Sequence, residues 1–114
     1  MEEQIIESNG EKFTLTTYNG ISVIRDENGY YNVSKICRDN KTKFKEWRKN
    51  TRNKELLQIY SKLLGKAVEV YGGQMPLIEL PLILNKNLKY SIETRGFYVH
   101  PRLVHHVCEW CDLD

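Results

Sequence analysis

Short runs of hydrophobic residues and polar turn residues follow one another along the first third of the chain, where three Asn-Gly dipeptides recur at intervals of ten and nine residues. Asn and Gly tolerate the positive φ that a two-residue type I′ turn requires, so each dipeptide predicts a tight hairpin. The segments between them are rich in β-branched and aromatic residues. We therefore predict an antiparallel meander of four short strands, at Gln4 to Ser8, Lys12 to Tyr18, Ile21 to Arg25 and Tyr30 to Val33.

Helical spacing of the apolar residues follows the meander. The pattern predicts a short helix at Ser34 to Arg38 with Asn32 as its N-cap. It predicts a second helix at Thr42 to Asn50, which would bury Phe44 and Trp47 on one side.

A third helix is predicted at Arg52 to Leu64, capped by Thr51 and ended by Gly65 in the position after the last turn. Its apolar residues repeat as in an amphipathic helix. They are Leu56, Leu57, Tyr60, Leu63 and Leu64.

The middle of the chain, from Lys66 to Arg95, favours extended structure. Gly72-Gly73, Pro76 and Pro81 are incompatible with a regular helix. Apolar runs at Leu82 to Leu84 and at Leu88 to Ile92 then predict a strand, a loop and a strand. We interpret this segment as a β-hairpin, or wing.

The C-terminal part predicts one more strand and one more helix. Gly96 opens the strand Phe97 to Val99, His100 helps to fix the turn, and Pro101 suits the first residue of a helix that runs to about Cys111. The apolar face of this helix consists of Leu103, Val104, Val107, Cys108 and Cys111.

Length and composition fit one globular domain over residues 1–114. No apolar run approaches the length of a membrane span, and the acidic start resembles no secretory leader. Three cysteines are too few for a disulfide framework, which suits a reducing compartment. We expect an intracellular protein without a membrane partner.

The distribution of charge changes this picture more than the net value does. Nine of the seventeen Lys and Arg residues fall between Lys35 and Lys54, beside two acids, Asp39 and Glu46. That stretch carries +7, and because the whole chain carries +2, the remainder sums to −5. Concentrated positive charge attracts polyanions, of which nucleic acid is the commonest. A merely solvated helix face is the alternative, but such faces usually mix both signs.

Two blocks of sequence, in this order, resemble the KilA-N domain family. The first runs Gly29-Tyr30-Tyr31-Asn32-Val33-Ser34-Lys35, continues with Lys43-Phe44-Lys45-Glu46-Trp47 and ends with Lys54-Glu55-Leu56-Leu57. The second is Arg95-Gly96-Phe97-Tyr98-Val99-His100-Pro101-Arg102-Leu103, closed by Trp110. The form is most similar to versions encoded by poxviruses and other large DNA viruses.

The resemblance implies an α+β DNA-binding module related to the fungal APSES domain. In that fold, N-terminal antiparallel β-hairpins accompany a winged helix-turn-helix core, a β-hairpin wing and a C-terminal helix. It also implies a viral protein acting inside a host cell, in the cytoplasm at replication sites or in the nucleus. In poxviruses a RING domain with ubiquitin-ligase activity often follows. This chain has no run of zinc ligands that could form one, so no ligase activity is assigned to these residues, and the resemblance allows a RING domain and the ubiquitin machinery only as part of a longer protein.

The expected ligand is double-stranded DNA, held mainly through its phosphates. Lys41, Lys45, Arg48 and Arg52 follow one another at helical spacing and predict a phosphate-facing ridge, subject to the break at Thr51. Arg52 and Asn53 are the candidates for base-edge contacts, because Arg pairs with guanine and Asn with adenine. The complete set of predicted nucleic-acid-binding residues is Lys35, Arg38, Lys41, Lys43, Lys45, Arg48, Lys49, Arg52, Asn53, Lys54, Lys89 and Arg95, with Tyr90 beside the last two.

Two other partners stay open at this stage. Recognition of phosphates alone does not distinguish DNA from RNA. A protein-interaction domain is the second class, in which the basic residues meet an acidic partner and the apolar segment Leu77 to Leu84 forms a contact surface.

A metal site and an enzyme are less favoured. Cys108 and Cys111 with His105 and His106 have zinc-like spacing, but both cysteines extend the apolar face of the last helix, and no second ligand pair is evident. Trp47 and Trp110 are interpreted as core residues rather than stacking platforms. No phosphate loop, metalloprotease motif or nucleophile elbow occurs, so we predict no catalysis and no cofactor.

Overall fold

A computed structural model of the protein describes residues 3–70 and 80–113. In these residues the strands are β1 (Gln4–Ser8), β2 (Glu11–Tyr18), β3 (Ile21–Arg25), β4 (Tyr31–Asn32), β5 (Glu69–Val70), β6 (Ile83–Lys86) and β7 (Gly96–Val99). The helices are α1 (Val33–Asp39), α2 (Phe44–Lys49), α3 (Thr51–Leu64) and α4 (Pro101–Trp110). The strands form one sheet in the order β1-β2-β3-β4-β7-β6-β5. Its pairs are antiparallel except for β5 with β6. The α+β class and the N-terminal meander are confirmed.

The first two Asn-Gly dipeptides form the predicted tight turns. Asn9 and Gly10 have φ of 52° and 74°, and Asn19 and Gly20 have φ of 48° and 84°. Positive φ at both central residues is the requirement of a type I′ turn. The flanking strands pair directly up to each turn, so these two predictions are confirmed.

The third Asn-Gly dipeptide does not form such a turn, and that prediction is wrong. Of the two residues Gly29 alone has a positive φ, at 82°. The loop is held instead by Asp26, whose Oδ1 accepts the N–H groups of Asn28 and Tyr30 at 2.9 Å each. A carboxylate that bonds its own backbone a few residues on makes a wider loop than Asn-Gly alone would.

Two side-chain amides cap the helices around the basic stretch. Asn32 Oδ1 accepts the N–H of Lys35 at 2.9 Å, as predicted for the cap of α1. At α3 the cap is Asn50, whose Oδ1 accepts the N–H of Asn53 at 3.3 Å. Thr51, predicted as the cap, is the first helical residue. Asn and Thr both favour caps, so local propensity does not choose between adjacent candidates.

Helix α3 packs over a narrower face than its apolar spacing predicts. Leu57 is buried, whereas Leu63 is 74% exposed and the neighbouring Ile59 is 54% exposed. Gly65 ends the helix with φ of 63°, as predicted. None of the described helices has both the length and the apolar character needed to cross a membrane.

The core lies on both faces of the sheet. Val23 and Val99 belong to the cluster that the helices cover, and their strand neighbours Ile24 and Tyr98 belong to a second cluster. Side chains of successive strand residues point to opposite faces, which explains this division. Trp47 is fully buried in the helical cluster, as predicted, and Trp110 packs against it.

The predicted strand at Leu88 to Ile92 is wrong. Strand β6 pairs with β7, with Lys86 opposite Gly96, so residues 87–95 form the connecting loop of the hairpin. Backbone groups of the loop bond within the loop and to side chains: the N–H of Tyr90 donates to the carbonyl of Asn87 at 3.0 Å, and the N–H of Ser91 donates to Ser8 Oγ at 2.8 Å. Side chains that bond backbone groups in this way stabilise loops in place of a ladder.

Part of the apolar segment Leu77 to Leu84, proposed from the sequence as a contact surface, belongs to the core. Leu82 and Ile83 are fully buried in the core. Residues 77–79, with Gly72-Gly73 and Pro76, lie outside the described residues.

A buried ion cluster joins the β6–β7 hairpin to the N-terminal hairpins. Lys86 is 7% exposed, and its Nζ lies 2.8 Å from Glu11 Oε1 and 3.5 Å from Asp26 Oδ2. Aromatic rings lie 5.2 to 5.7 Å from the same Nζ: those of Phe13, Tyr90 and Tyr98. A buried charge without partners is costly, so this cluster ties three segments of the chain together.

We expect Asn32→Ala to lower the free energy of unfolding by about 2 kcal/mol, because a helix cap and a buried hydrogen bond are lost together. Asn32 is fully buried, and its Nδ2 donates to the carbonyl of Arg95 at 3.2 Å. Urea denaturation measures the change. Asn32→Asp retains the capping oxygen and serves as a control for the lost amide donor; unchanged stability in both variants would contradict the assignment.

Candidate nucleic-acid interface

Helix α2 turns its cations to the surface because its aromatic residues are buried. Phe44 is 2% exposed and stacks on the fully buried Trp47, with ring centroids 5.4 Å apart. Lys45, Arg48 and Lys49 occupy the intervening positions of the helix; both lysines are exposed, and Arg48 is half-buried. The predicted sidedness of this helix is confirmed.

A concave site of about 520 Å³ lies between α1 and α2, and we call it the α1–α2 hollow. Four cations line it together with two hydroxyl groups and two phenylalanine rings. The lining consists of Arg38, Lys41, Lys43, Lys45, Ser34, Thr42, Phe44 and Phe97. Lys41 is in the turn between the helices, where its φ of 61° reverses the chain.

A second concave site, of about 530 Å³, lies between α2 and α3, and we call it the α2–α3 hollow. Four cations and one acid line it, over an apolar floor. The lining consists of Lys45, Arg48, Lys49, Lys54, Glu55, Thr51, Gln58, Leu57 and Val68.

Lys45 lines both hollows, so their cations are continuous across the surface of the domain. We call this set the cationic surface: Arg38, Lys41, Lys43, Lys45, Arg48, Lys49 and Lys54. Seven positive groups around two concavities raise the local concentration of polyanions.

Carboxylates of α2 and α3 lie beside this surface, and Glu55 lines the α2–α3 hollow. Glu46 pairs with Lys49 at 3.7 Å, but both side chains are more than half exposed, and such pairs contribute little. The described ion pairs of the hairpin carboxylates lie elsewhere: Glu3 with Arg25, Glu11 with Lys86, and Asp26 with Lys86.

The predicted ridge ends before Arg52, at the helix break on which its extent depends. Helix α2 ends at Lys49, and Asn50 has extended backbone angles (φ −64°, ψ 128°), so the helical repeat restarts at α3. Arg52 consequently lines a different concavity, between α3 and α4, which also contains Glu55, His106, Glu109 and Trp110.

Asn53 joins the two helices on either side of this break. Its Nδ2 donates to the carbonyl of Trp47 at 2.9 Å. The amide nitrogen carries two N–H groups, so one holds Trp47 while the other N–H and the Oδ1 stay available for a bidentate contact with adenine.

Lys35 is paired within its own helix. Its Nζ lies 2.6 Å from Asp39 Oδ2 and 3.4 Å from the carbonyl of Ser22, and it lines neither hollow. Of the nine cations in the basic stretch, Lys35 and Arg52 are thus the two that lie outside the cationic surface.

The wing candidates lie in the loop 87–95. Lys89 is exposed there. Arg95 folds back on the loop, where its Nη2 donates to the carbonyl of Tyr90 at 3.0 Å. The hydroxyl of Tyr90 donates to Glu11 Oε2 at 2.8 Å, so Lys89 is the side chain of the three that extends into solvent.

Phe97 is the member of the site that the sequence did not reveal. The Phe97 side chain is half-buried. The centroid of its ring lies 5.6 Å from the ring centroid of Phe44 and 5.3 Å from the guanidinium carbon of Arg48. Its N–H donates to Ser34 Oγ at 2.9 Å, which fixes β7 against α1. As the first aromatic residue of a predicted strand it gave no signal beyond its β propensity.

The three cysteines lie near one another and are part of the core. Cys37 and Cys108 are buried, and the Sγ atoms of Cys37 and Cys111 are 3.9 Å apart. Burial, together with the neighbouring Cys111, raises the pKa of the Cys37 thiol, and burial also raises the pKa of Cys111. Thiols that stay protonated are poor nucleophiles and poor metal ligands. Within the described residues no group of three or more His, Cys, Asp or Glu side chains could hold a metal ion.

Comparison with known proteins identifies the family. The model of the KilA-N domain matches residues 15–114. KilA-N domain-containing protein R878 of Acanthamoeba polyphaga mimivirus is 37% identical over 94 residues, which are 77% of this chain and 23% of that protein. The corresponding protein L32 of the same virus is 28% identical over 107 residues, 93% of this chain and 26% of that protein. The chain thus spans about a quarter of the length of these relatives. No solved structure matches it.

Proposed function

The chain belongs to the KilA-N domain family, and we propose that it binds double-stranded DNA through the phosphates, with limited sequence preference. The observation that carries this proposal is the sharing of Lys45 between two cation-lined hollows, which makes seven positive side chains one surface. Contacts with phosphates supply most of the affinity in sequence-tolerant DNA binding.

We propose that α2 and α3 act as the helix-turn-helix pair, with the break at Asn50 as their turn. The β6–β7 hairpin would be the wing, with Lys89 in its loop reaching the backbone of the duplex. Arg52 and Asn53, at the start of α3, remain our candidates for base-edge contacts, and Lys35 and Arg95 would act at the edges of the interface. Recognition helices contact bases through their first residues, which supports this assignment.

The cationic surface predicts a steep dependence of affinity on salt. If about six phosphates are neutralised, the slope of log affinity against log salt concentration should be roughly −5. Titration of a fluorescent duplex between low and physiological salt measures this slope, and the same titration with single-stranded DNA and duplex RNA ranks the three polymers. We expect duplex DNA to bind at least as well as duplex RNA.

A slope near zero would remove the electrostatic mechanism. Tight, salt-dependent binding of RNA with no binding of DNA would show that the ligand of the cationic surface is RNA and not DNA. Failure of all three polymers would leave an acidic protein partner as the ligand of the cationic surface.

We further propose that a longer protein of this kind uses the domain to bring an effector to viral or foreign DNA inside a host cell. The relatives are about four times longer than the matched region, which leaves room for such a part. A RING domain acting with the ubiquitin machinery is the effector that the family resemblance suggests.

A further inference from the structure

The α1–α2 hollow combines aromatic rings with positive side chains. A fully paired duplex would contact only the positive side chains. Phosphates lie on the outside of a duplex and reach the rim lysines, whereas the stacked bases cannot reach a ring in a concave site. The position of Phe97 is therefore unexplained by contacts with phosphates.

Phe97 is held in place by contacts that leave it at the wall of this hollow. Phe44 packs beside the ring, the guanidinium of Arg48 lies over it, and the bond from its N–H to Ser34 Oγ fixes the strand. The backbone is fixed as well: at Gly96 a Cβ atom would approach Ser34 Cβ to 2.8 Å, so α1 and β7 are in close contact. The ring is thus preorganised, which reduces the entropy lost when a ligand binds.

The remaining groups of the hollow suit a nucleotide. Arg38, Lys41, Lys43 and Lys45 supply positive charge for phosphates, and no carboxylate is among its described lining residues. Thr42 adds a hydroxyl group. Proteins that hold unpaired strands combine a basic groove with aromatic rings on which bases stack.

We propose that the α1–α2 hollow is a subsite for one unpaired nucleotide, whose base lies against Phe97 while the rim cations hold the adjacent phosphates. The domain would then bind a duplex that contains a gap or an extruded base more tightly than a fully paired one. This inference rests on the proposed function, because the flanking duplex is held by the cationic surface.

The test compares three DNA probes of equal length in the same salt. They are a fully paired duplex, the same duplex with a short single-stranded gap, and that gap built from abasic nucleotides, which keep the phosphates and lack the bases. We expect the gapped duplex to bind about tenfold more tightly than the paired one, and the abasic gap to lose this gain. A gap of ribonucleotides then shows whether the subsite also accepts RNA.

Two variants connect the gain to the ring. Phe97→Leu keeps an apolar side chain and should abolish the preference for the gap, measured as the ratio of the affinities of the same variant for gapped and paired duplex. Phe97→Trp offers a larger ring and should retain the preference or increase it. Circular dichroism confirms that each variant is folded.

Three results would overturn the subsite. They are equal binding of paired and gapped duplexes, equal binding of normal and abasic gaps, and a preference that persists in Phe97→Leu. Each of these, accompanied by salt-dependent binding of paired duplex, leaves the proposed function intact. Absence of binding to every probe overturns both proposals.

Discussion

Replacing Lys45, Lys49 and Lys54 together by glutamate should lower the affinity for duplex DNA by about 100-fold or more. All three line the α2–α3 hollow and are exposed, so the exchange alters charge without opening the core. Three lost phosphate contacts should also make the salt slope shallower by about three, since each contact contributes about one. Arg48 is left unchanged because its guanidinium packs on Phe97, so its loss would confound charge with structure.

A matched control separates this local effect from net charge. Lys12, Lys62 and Arg102 are exposed and line neither hollow. Their replacement by glutamate changes the total charge by the same amount, because each exchange turns +1 into −1. We expect the control to lose less than about tenfold in affinity. Equal losses in the two triple variants, measured in one titration series, would show that the domain attracts DNA through its overall charge and that no cationic surface exists.

Lys86→Met should destabilise the fold by about 3–5 kcal/mol, because it leaves one buried and one partly buried carboxylate without their cation. Asp26 is 4% exposed and Glu11 is partly buried. A small domain has a total stability of about 5–15 kcal/mol, so the variant should be close to unfolding at 37 °C. Thermal denaturation should show a melting temperature lower by about 15 °C.

The neighbouring Lys89 offers the control for this prediction. It lies three residues beyond Lys86, in the loop that follows β6, and is exposed, so Lys89→Met should change stability by less than about 0.5 kcal/mol. Adding Glu11→Gln to Lys86→Met should recover part of the loss, since one of the unpaired carboxylates is then neutral. If the two lysine variants were equally stable, the ion cluster would have no role in folding.

Two groups with raised pKa values, Asp26 and Lys86, determine how the stability of the domain should depend on pH. Burial raises the pKa of Asp26 above its ordinary value of about 3.8, so the folded state binds a proton more readily than the unfolded state. The stability that Asp26 contributes is present at low pH and is lost as pH rises through the raised pKa. We therefore expect the loss of stability in Lys86→Met to become smaller toward pH 4.

For Lys86, burial alone would lower the pKa, but Glu11 and Asp26 outweigh burial and raise the pKa above about 10.5. Its contribution is therefore complete below that pH and is lost above it. Denaturation midpoints across the pH range measure both trends.

Local patterns in the sequence predicted the elements that depend on nearby residues alone. Asn9-Gly10 and Asn19-Gly20 form tight turns because their conformational preference requires no distant contact. Asn32 caps α1 for the same reason. Phe44 and Trp47 are buried where helical spacing puts them, and the family resemblance was visible in the order of short motifs.

Predictions failed where a distant residue outweighed a local preference. The third Asn-Gly loop is held by Asp26 Oδ1, which accepts the N–H groups of Asn28 and Tyr30, while Oδ2 of the same carboxylate lies 3.5 Å from Lys86 Nζ, sixty residues further along the chain. Leu88 to Ile92 has strand propensity, but β7 pairs with β6 instead and leaves it as a loop. Leu82 and Ile83 are apolar because they lie in the core, not because they form an interface.

The candidate site divides in the same way. Charge counting found the basic stretch, because the sign of a side chain does not depend on the fold. The tertiary structure decided which cations share a surface. The backbone break at Asn50 places Arg52 in the α3–α4 concavity, whereas Lys45 lines both hollows. The place of Phe97 among those cations was decided by the packing of β7 on α1, a contact between residues more than sixty positions apart that no local pattern encodes.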